Sequence, residues 1–321
     1  MTAEFVISLD FELLWGVRDH ADRQSYGANV IGGRDAIPRI LELFVRHGIS
    51  ATWATVGFLF CENRDELVDI LPPLEKRPSY TNTALSNYGY LDEVGSDETT
   101  DPYYFAPSLI RRIAEMPGQE IGTHTLSHFY CLEDGPTDTA FDADLSAAVT
   151  LAARLGITLK SIVFPRNQYG PAHLDICRRH GIAAYRGNPS PWAYRATQGR
   201  GQTLLRRALR LADAHTGILA HHTYAPETRS VFRNVPASQF LRPYAGRLAR
   251  FHSAHLRTIM AGMSQAARHG RGYHLWWHPH NFGRNTEENI ARLECILRHY
   301  VRLREDYGMV SVSMTPREAA R

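Results

Sequence analysis

Apolar and polar positions along this chain alternate between the strand period and the helix period. EFVISLD (residues 4–10) has a β-branched centre and reads as a strand, and RDAIPRILELFVRHG (34–48) reads as an amphipathic helix that Gly48 can stop. SATWATVG (50–57) is a second strand, followed by a helix-like stretch near 62–71. The pattern then breaks over 71–107, a polar segment rich in Pro and Tyr. It is too long for a simple connection, and is therefore expected to be an insertion over a working surface, a candidate lid. Alternation resumes with a helix at 108–116, a strand at 120–125, a helix at 142–156, a strand at 161–167, a helix at 172–181 and a strand at 183–187. An irregular region (188–201) and a helix precede a strand at 217–224 and a second loop at 225–239. A long helix (244–269), a strand (272–280), a helix rich in i,i+4 charges (285–306) and a last strand (308–314) complete the chain.

Seven or eight strand–helix units without a strong linker predict one α/β domain over residues 1–321, a closed or partly closed barrel with insertions at about 71–107 and 225–239. An open doubly wound sheet is the alternative, but no GxGxxG follows the first strand.

Composition excludes several classes. The 44% apolar and 21% charged fractions are those of a globular protein, and a net charge of +3 is too small to argue for nucleic acid. Cys61, Cys131, Cys177 and Cys295 are widely spaced with no CxxC, against a disulfide framework or a structural zinc knuckle. MTAEFVISLDFELLW lacks the basic and apolar regions of a signal peptide, and no 18-residue apolar run follows, so a cytoplasmic protein without a membrane span is expected. Nothing in the sequence marks an oligomeric interface.

In parallel α/β folds ligands gather at the carboxyl ends of the strands. Read there, the first strand ends in Asp10 and Glu12, and the third in EIGTHTLSHFY with His124 and His128. The fourth ends in FPRNQYG with Arg166 and Asn167, the strand at 217–224 in His221 and His222, and that at 272–280 in His278 and His280. On a helix, histidines at i and i+4 share a face and can reach one metal ion. With 16 histidines in the chain such a pair arises easily by chance, and any one of these residues has a structural explanation as a cap or a packed core group. Their recurrence at one rim is what points to a shared hydrolytic metal site.

The order of these motifs resembles the polysaccharide deacetylase family, the NodB-homology carbohydrate esterases: a carboxylate pair after the first strand, HTLSH, an Arg beside Pro, and LWWH near the end. The resemblance runs from about residue 4 to residue 315 and implies a distorted (β/α)7 barrel that uses a divalent metal, commonly zinc, to remove N- or O-acetyl groups from sugars. It makes His124 and His128 metal ligands and Thr125 a loop-stabilising hydroxyl. Ser8-Leu9-Asp10-Phe11-Glu12 departs from the usual Thr-Phe-Asp-Asp-Gly and is similar to an Asp-x-Glu form, with Asp10 as the base and Glu12 as the carboxylate ligand. Strand alternation puts both on one face, so the two can also exchange roles or both touch the metal. Arg166 is expected to pair with Asp10, and Asn167 to face the substrate. Leu275 is expected to line an acetyl-methyl pocket, His278 to be the general acid, and Trp192 to lie beside the site.

For a chain without an export signal, the resemblance implies an acetylated sugar or sugar nucleotide as substrate, in surface polysaccharide or lipopolysaccharide O-antigen biosynthesis. Tyr80, Tyr88, Tyr90, Tyr103 and Tyr104 of the long insertion could wall a sugar ring. The ligand set accepts zinc, cobalt, nickel, iron or manganese. Two other readings are another metal-dependent amidase or deformylase acting on a small substrate, and a catalytically lapsed carbohydrate-binding relative.

Overall fold

The computed structural model describes residues 2–219, 221–227, 230, 232–246 and 249–315. Its centre is β1 (Glu4–Phe11), buried along its whole length because it is flanked on both edges and covered on both faces. Phe5, Ile7, Leu9 and Phe11 point into the main core beneath the helices. Val6, between them, joins Ala54, Val163, Ala184, Val235 and Met314 in a smaller cluster inside the curl of the sheet.

α1 (Arg23–His47) follows. Asp22 caps it by accepting from the Ser25 N–H at 2.8 Å, and Gly48, left-handed at φ 66°, ends it. It begins eleven residues before the expected start at 34, because Gly27, Gly32 and Gly33 interrupt the apolar periodicity. Two of these glycines serve packing. A Cβ on Gly33 would lie 2.5 Å from the His280 Cα, and one on Gly32 would lie 2.2 Å from the Gly283 carbonyl oxygen.

β2 (Ala51–Thr55), α2 (Arg64–Asp69), α3 (Pro107–Glu115), β3 (Gln119–Thr123), α4 (Asp138–Arg154), β4 (Ser161–Ile162), α5 (Pro171–Arg179) and β5 (Ala184–Tyr185) continue the alternation. After α6 (Leu204–Thr216) come β6 (Arg233–Asn234) and β7 (Gln239–Phe240), then α7 (Ala249–Arg268), β8 (Gly272–Trp277), α8 (Thr286–Tyr307) and β9 (Val310–Val312). The strands are parallel in the order β6-β5-β4-β3-β2-β1-β8-β7, with β9 also on β1. The result is a single domain in which a curled parallel half-barrel is surrounded by helices, a distorted (β/α)7-type barrel.

Two expectations about loops are corrected. The strand expected at 217–224 is absent among the described residues there, apart from an isolated antiparallel bridge between Tyr224 and Gly272. The segment at 225–239, read as a loop, supplies β6 and the start of β7. Its Val235 and Ala237 N–H groups donate to Tyr185 and Gly187 on one edge of the sheet, and its Ser238 N–H donates to His274 on the other. One extended segment thus closes the gap between β5 and β8 and satisfies both edges.

The insertion at 71–107, expected to be a lid, contributes no residue to the lining of the cleft described below. Tyr80 and Tyr104 are buried, Tyr88 packs edge-on against Phe58, and Tyr90 lies under the Arg18 guanidinium. Its Asn87 amide donates to the carbonyls of Trp15 (2.9 Å) and Ser127 (3.0 Å), so the segment buttresses the loops at the barrel mouth from behind. No helix among the described residues is long and apolar enough to cross a membrane.

Candidate metal centre and active-site cleft

β1 ends by turning sharply into a 3-10 turn over Leu13–Gly16, with Leu13 at φ 47°. Trp15 anchors this turn, donating from its indole N–H to the Tyr104 carbonyl at 2.9 Å. The turn brings Gly16 back over Glu12, where a Cβ would stand 1.9 Å from the carboxyl carbon, so only glycine leaves Glu12 room in its observed rotamer.

His124 and His128 occupy a loop after β3 rather than a helix, which corrects the premise behind their spacing. Thr125 and His128 are left-handed at φ 66° and 59°, a conformation that costs a non-glycine residue and must be held from outside. Two groups hold it. The Thr125 hydroxyl oxygen accepts from the Phe129 N–H at 2.7 Å, and the buried Asp144 carboxylate accepts from the N–H groups of Leu126 (2.7 Å) and Ser127 (3.2 Å). Burial nevertheless pushes Asp144 up to about 6, the hydrogen bonds from Ser127 and the loop backbone opposing it.

The loop places the Nε2 atoms of His124 and His128 3.3 and 3.1 Å from one oxygen of Glu12. Ligands bound at about 2.1 Å in a tetrahedral shell stand about 3.4 Å apart, so these separations suit a cation between them. The three donors lie within 4.8 Å of one another, and all three residues are buried. His124 Nδ1 is 2.7 Å from the Val163 carbonyl, which fixes the proton there and leaves Nε2 free as a donor to an ion. Burial raises the Glu12 carboxyl, but the neighbouring imidazoles, His278 first and then His124 and His128, outweigh it and hold Glu12 well below the usual range. Burial lowers His128, against the pull of Glu12. A buried carboxylate and two imidazoles are a donor set that fits a divalent ion.

Asp10 stands on the same face of β1. Its partner is Arg186, not Arg166: both guanidinium nitrogens donate to the two carboxylate oxygens at 2.7 and 2.8 Å. Arg186 comes from the end of β5 and is only 1% exposed. The Ser8 hydroxyl also accepts from it at 3.1 Å and the Asn167 side-chain oxygen at 3.1 and 3.2 Å, and its guanidinium stacks 4.1 Å from the Trp276 ring. Burial raises the Asp10 carboxyl, and the Arg186 charge, with smaller help from His124 and His278, brings it below the ordinary value. Arg166 lines the same cleft but pairs with Asp19 and Glu133 and stacks over Tyr130. Arg166 and Asn167 are both left-handed, and the turn they form points the arginine outward to the rim.

His278 follows β8 at the mouth of the barrel. Its Nε2 is 3.7 Å from Asp10 and 3.6 Å from Glu12, so both carboxylates face it, and the Asn281 amide stands 3.4 Å from Nδ1. His280 stacks on it with ring centroids 5.0 Å apart and reaches within 3.9 Å of Glu12. Burial, then the neighbouring His278, pushes His280 down to about 3, so it is a neutral ring with a buried Nδ1 lacking a hydrogen-bond partner.

Two expected site residues lie elsewhere. Leu275 alternates with Trp276 on β8, so it faces the helix-covered core while Trp276 faces the cleft. Trp192 is 45% exposed, outside the cleft, with Arg206 over its ring. His222 is bound to Asp213 at 2.6 Å, and it lines a separate cavity with His221. The cleft itself, about 360 Å³, is lined by Asp10, Glu12, His124, His128 and His278 together with Tyr26, Phe240 and Trp276. Arg186 and Trp276 were missed by sequence reasoning. The signal for Arg186 is its position one residue before the end of AAYRG, at the same rim as the other strand ends.

No family model matches the sequence, and no curated protein matches it. Solved structures do match. A Mycobacterium smegmatis protein described as a polysaccharide deacetylase superposes with a TM-score of 0.59 at 14% identity, over 100% of this chain and 94% of its own. A Pseudomonas aeruginosa PAO1 protein of the same description gives 0.52 at 12% identity over 98% and 87%, and the PuuE allantoinase gives 0.53 at 12% over 98% and 86%. At these identities the likeness concerns architecture, and the architecture is that of the NodB-like polysaccharide deacetylase fold.

Proposed function

We propose that this protein is a metal-dependent hydrolase that removes the acetyl group from the nitrogen of an amino sugar destined for a surface polysaccharide or O-antigen. The observation that carries this reading is the buried Glu12–His124–His128 set beside a second carboxylate, Asp10, clamped by Arg186 and faced by His278. A divalent ion held by Glu12, His124 and His128, zinc or one of its first-row neighbours, supplies a Lewis acid for the acyl oxygen and makes a water easier to deprotonate.

The chain's own groups supply the rest. Asp10, kept ionised by Arg186, accepts the proton of the attacking water. His278, facing both carboxylates and partly open to the cleft, delivers a proton to the departing nitrogen, so acetate and a free amine leave. Trp276 and Phe240 give the sugar ring an apolar wall, and Asn167, fixed against Arg186, offers it a polar contact.

The test is metal analysis of the purified protein beside His124→Ala and Glu12→Ala, with acetate release from a panel of N-acetylated amino sugars in the same preparations. About one ion per chain is expected, lost in both variants together with acetate release. Bound metal without acetate release, but with formate released when the N-formylated analogues are supplied, would replace the acyl group in this reading. Neither metal nor acid release would overturn it.

A further inference from the structure

A second cavity, about 260 Å³, opens beside the cleft and shares Arg166, Asn167, Phe240, Trp276 and His278 with it. Its outer wall comes from the segment after β5, from α6 and from the residues after β7, and carries Arg195, Arg210 and Arg242 with the amides of Asn188 and Gln202. No Asp or Glu lines it among the described residues. Arg166 is already neutralised by Asp19 and Glu133, whereas the other three have no carboxylate partner among the described residues. The nearby acid, Asp213, is turned away to His222 and to the Tyr194 hydroxyl. Arg210 is held by a neutral group, the Gln202 carbonyl at 2.6 Å, and the buried Nε of Arg242 has no hydrogen-bond partner. Burial lowers both arginines from their ordinary values, and neighbouring arginines add to this for Arg210.

Concentrating like charges in a concave wall is unfavourable unless something negative offsets it. An ordinary solvated arginine face spreads its charges over a convex surface and pairs them with carboxylates. A single carboxylate is satisfied by one bidentate guanidinium, while several guanidiniums around one cavity match the multiple oxygens and charges of phosphate or diphosphate.

We propose that the Arg195–Arg210–Arg242 cavity is a phosphate subsite, so that the acylated sugar enters carrying a phosphate or diphosphate group. This rests on the deacetylase reading for which end of the substrate sits at Asp10 and His278. The phosphate of a sugar 1-phosphate, the diphosphate of a nucleotide sugar and that of a prenyl-linked sugar share this chemistry. A neutral polymer does not.

Two readouts test it on the metal-loaded full chain. In the first, pyrophosphate binding is followed by calorimetry in the wild type and in Arg195→Gln, Arg210→Gln and Arg242→Gln, where the metal's own affinity for pyrophosphate is common to all four. Arg195 is exposed, so its variant keeps the comparison sound if a more buried substitution disturbs folding. At least tenfold weaker binding in the variants is expected, and equal affinity in all four overturns the proposal. In the second, kcat/KM is compared for N-acetylglucosamine as its methyl glycoside, its 1-phosphate, its uridine diphosphate derivative and its prenyl diphosphate. The ratio of the best phosphorylated substrate to the methyl glycoside is expected to exceed ten and to fall tenfold in the variants, and the best of the three names the source of the phosphate. A ratio near one in the wild type overturns the proposal. Absence of acetate from every substrate, with pyrophosphate binding still arginine-dependent, would retain the subsite and reject the deacetylase reading.

Discussion

At the scale of single residues, the site depends on charges taken out of water and paid for by named partners. Asp10 and Arg186 are almost wholly buried, and each satisfies the other with two parallel hydrogen bonds. Lysine cannot reproduce that fork, because an ammonium places one donor cluster at the end of a flexible stem. Arg186→Lys is expected to lower kcat at least a hundredfold by releasing Asp10 from its orientation. Arg186→Ala is expected to cost about 3–5 kcal/mol of stability as well, since it strands a buried carboxylate. Steady-state kinetics and denaturant unfolding of the two variants check this, and near-normal kcat in the lysine variant would show that charge alone suffices. The carboxylates and histidines of the site were legible in the sequence because they sit at strand ends, where chemistry collects in this class of fold. Arg186 was less so: it stands near the end of AAYRG, but a segment of two alanines and one tyrosine carries too little apolar alternation to tell a buried arginine from a solvent-facing one. Leu275 was read from its place in a motif, and the strand's own alternation sends it to the core and its neighbour Trp276 to the cleft.

At the scale of elements, the candidate metal ligands are positioned by backbone that approaches unusually closely. The turn after β1 presses Gly16 onto the Glu12 carboxyl, and α1 lays Gly32 and Gly33 against the stretch carrying His280 and Gly283. In the sequence these glycines look like weak points of helix and turn, and the apolar periodicity predicts a helix only from 34. In the fold each marks a place where a side chain would push a functional group out of position. Gly16→Ala is therefore expected to displace Glu12 and reduce bound metal at least tenfold. The melting temperature of the metal-free protein should fall only slightly, because Gly16 has an ordinary negative φ that alanine can adopt. Metal titration beside thermal unfolding of the metal-free chain separates the two effects. Unchanged metal affinity would mean that Glu12 has another rotamer that binds equally well. The closing segment at 233–241 was the least legible element. Its two-residue strands carry polar residues and are separated by a stretch with Pro236, and it is extended because two sheet edges need its N–H groups, which is a tertiary cause that no local pattern reveals.

At the scale of the molecule, the question is what the long insertion does. Its length and tyrosines suggested a lid with aromatic walls, yet none of its residues lines the cleft, and its rings are largely packed among the loops. Asn87 shows the alternative. Buried between two loops, it ties the Trp15 carbonyl, next to the glycine pressed on Glu12, to the Ser127 carbonyl, next to His128. The insertion therefore fastens together the two segments that bring the Glu12 carboxylate and the His124 and His128 imidazoles to one point. Asn87→Ala removes both bonds and leaves two carbonyls without their donor, at a cost of about 1–3 kcal/mol. Because the loss falls on the relative placement of the ligands, metal affinity is expected to drop about tenfold, the effect usual for supports one shell out from a metal. A buttress and a lid then give opposite results in one experiment. If the segment is a buttress, raising the metal concentration restores Asn87→Ala turnover with KM close to that of the parent. If it is a lid, metal affinity stays at the parent value and KM rises, and added metal does not bring it back.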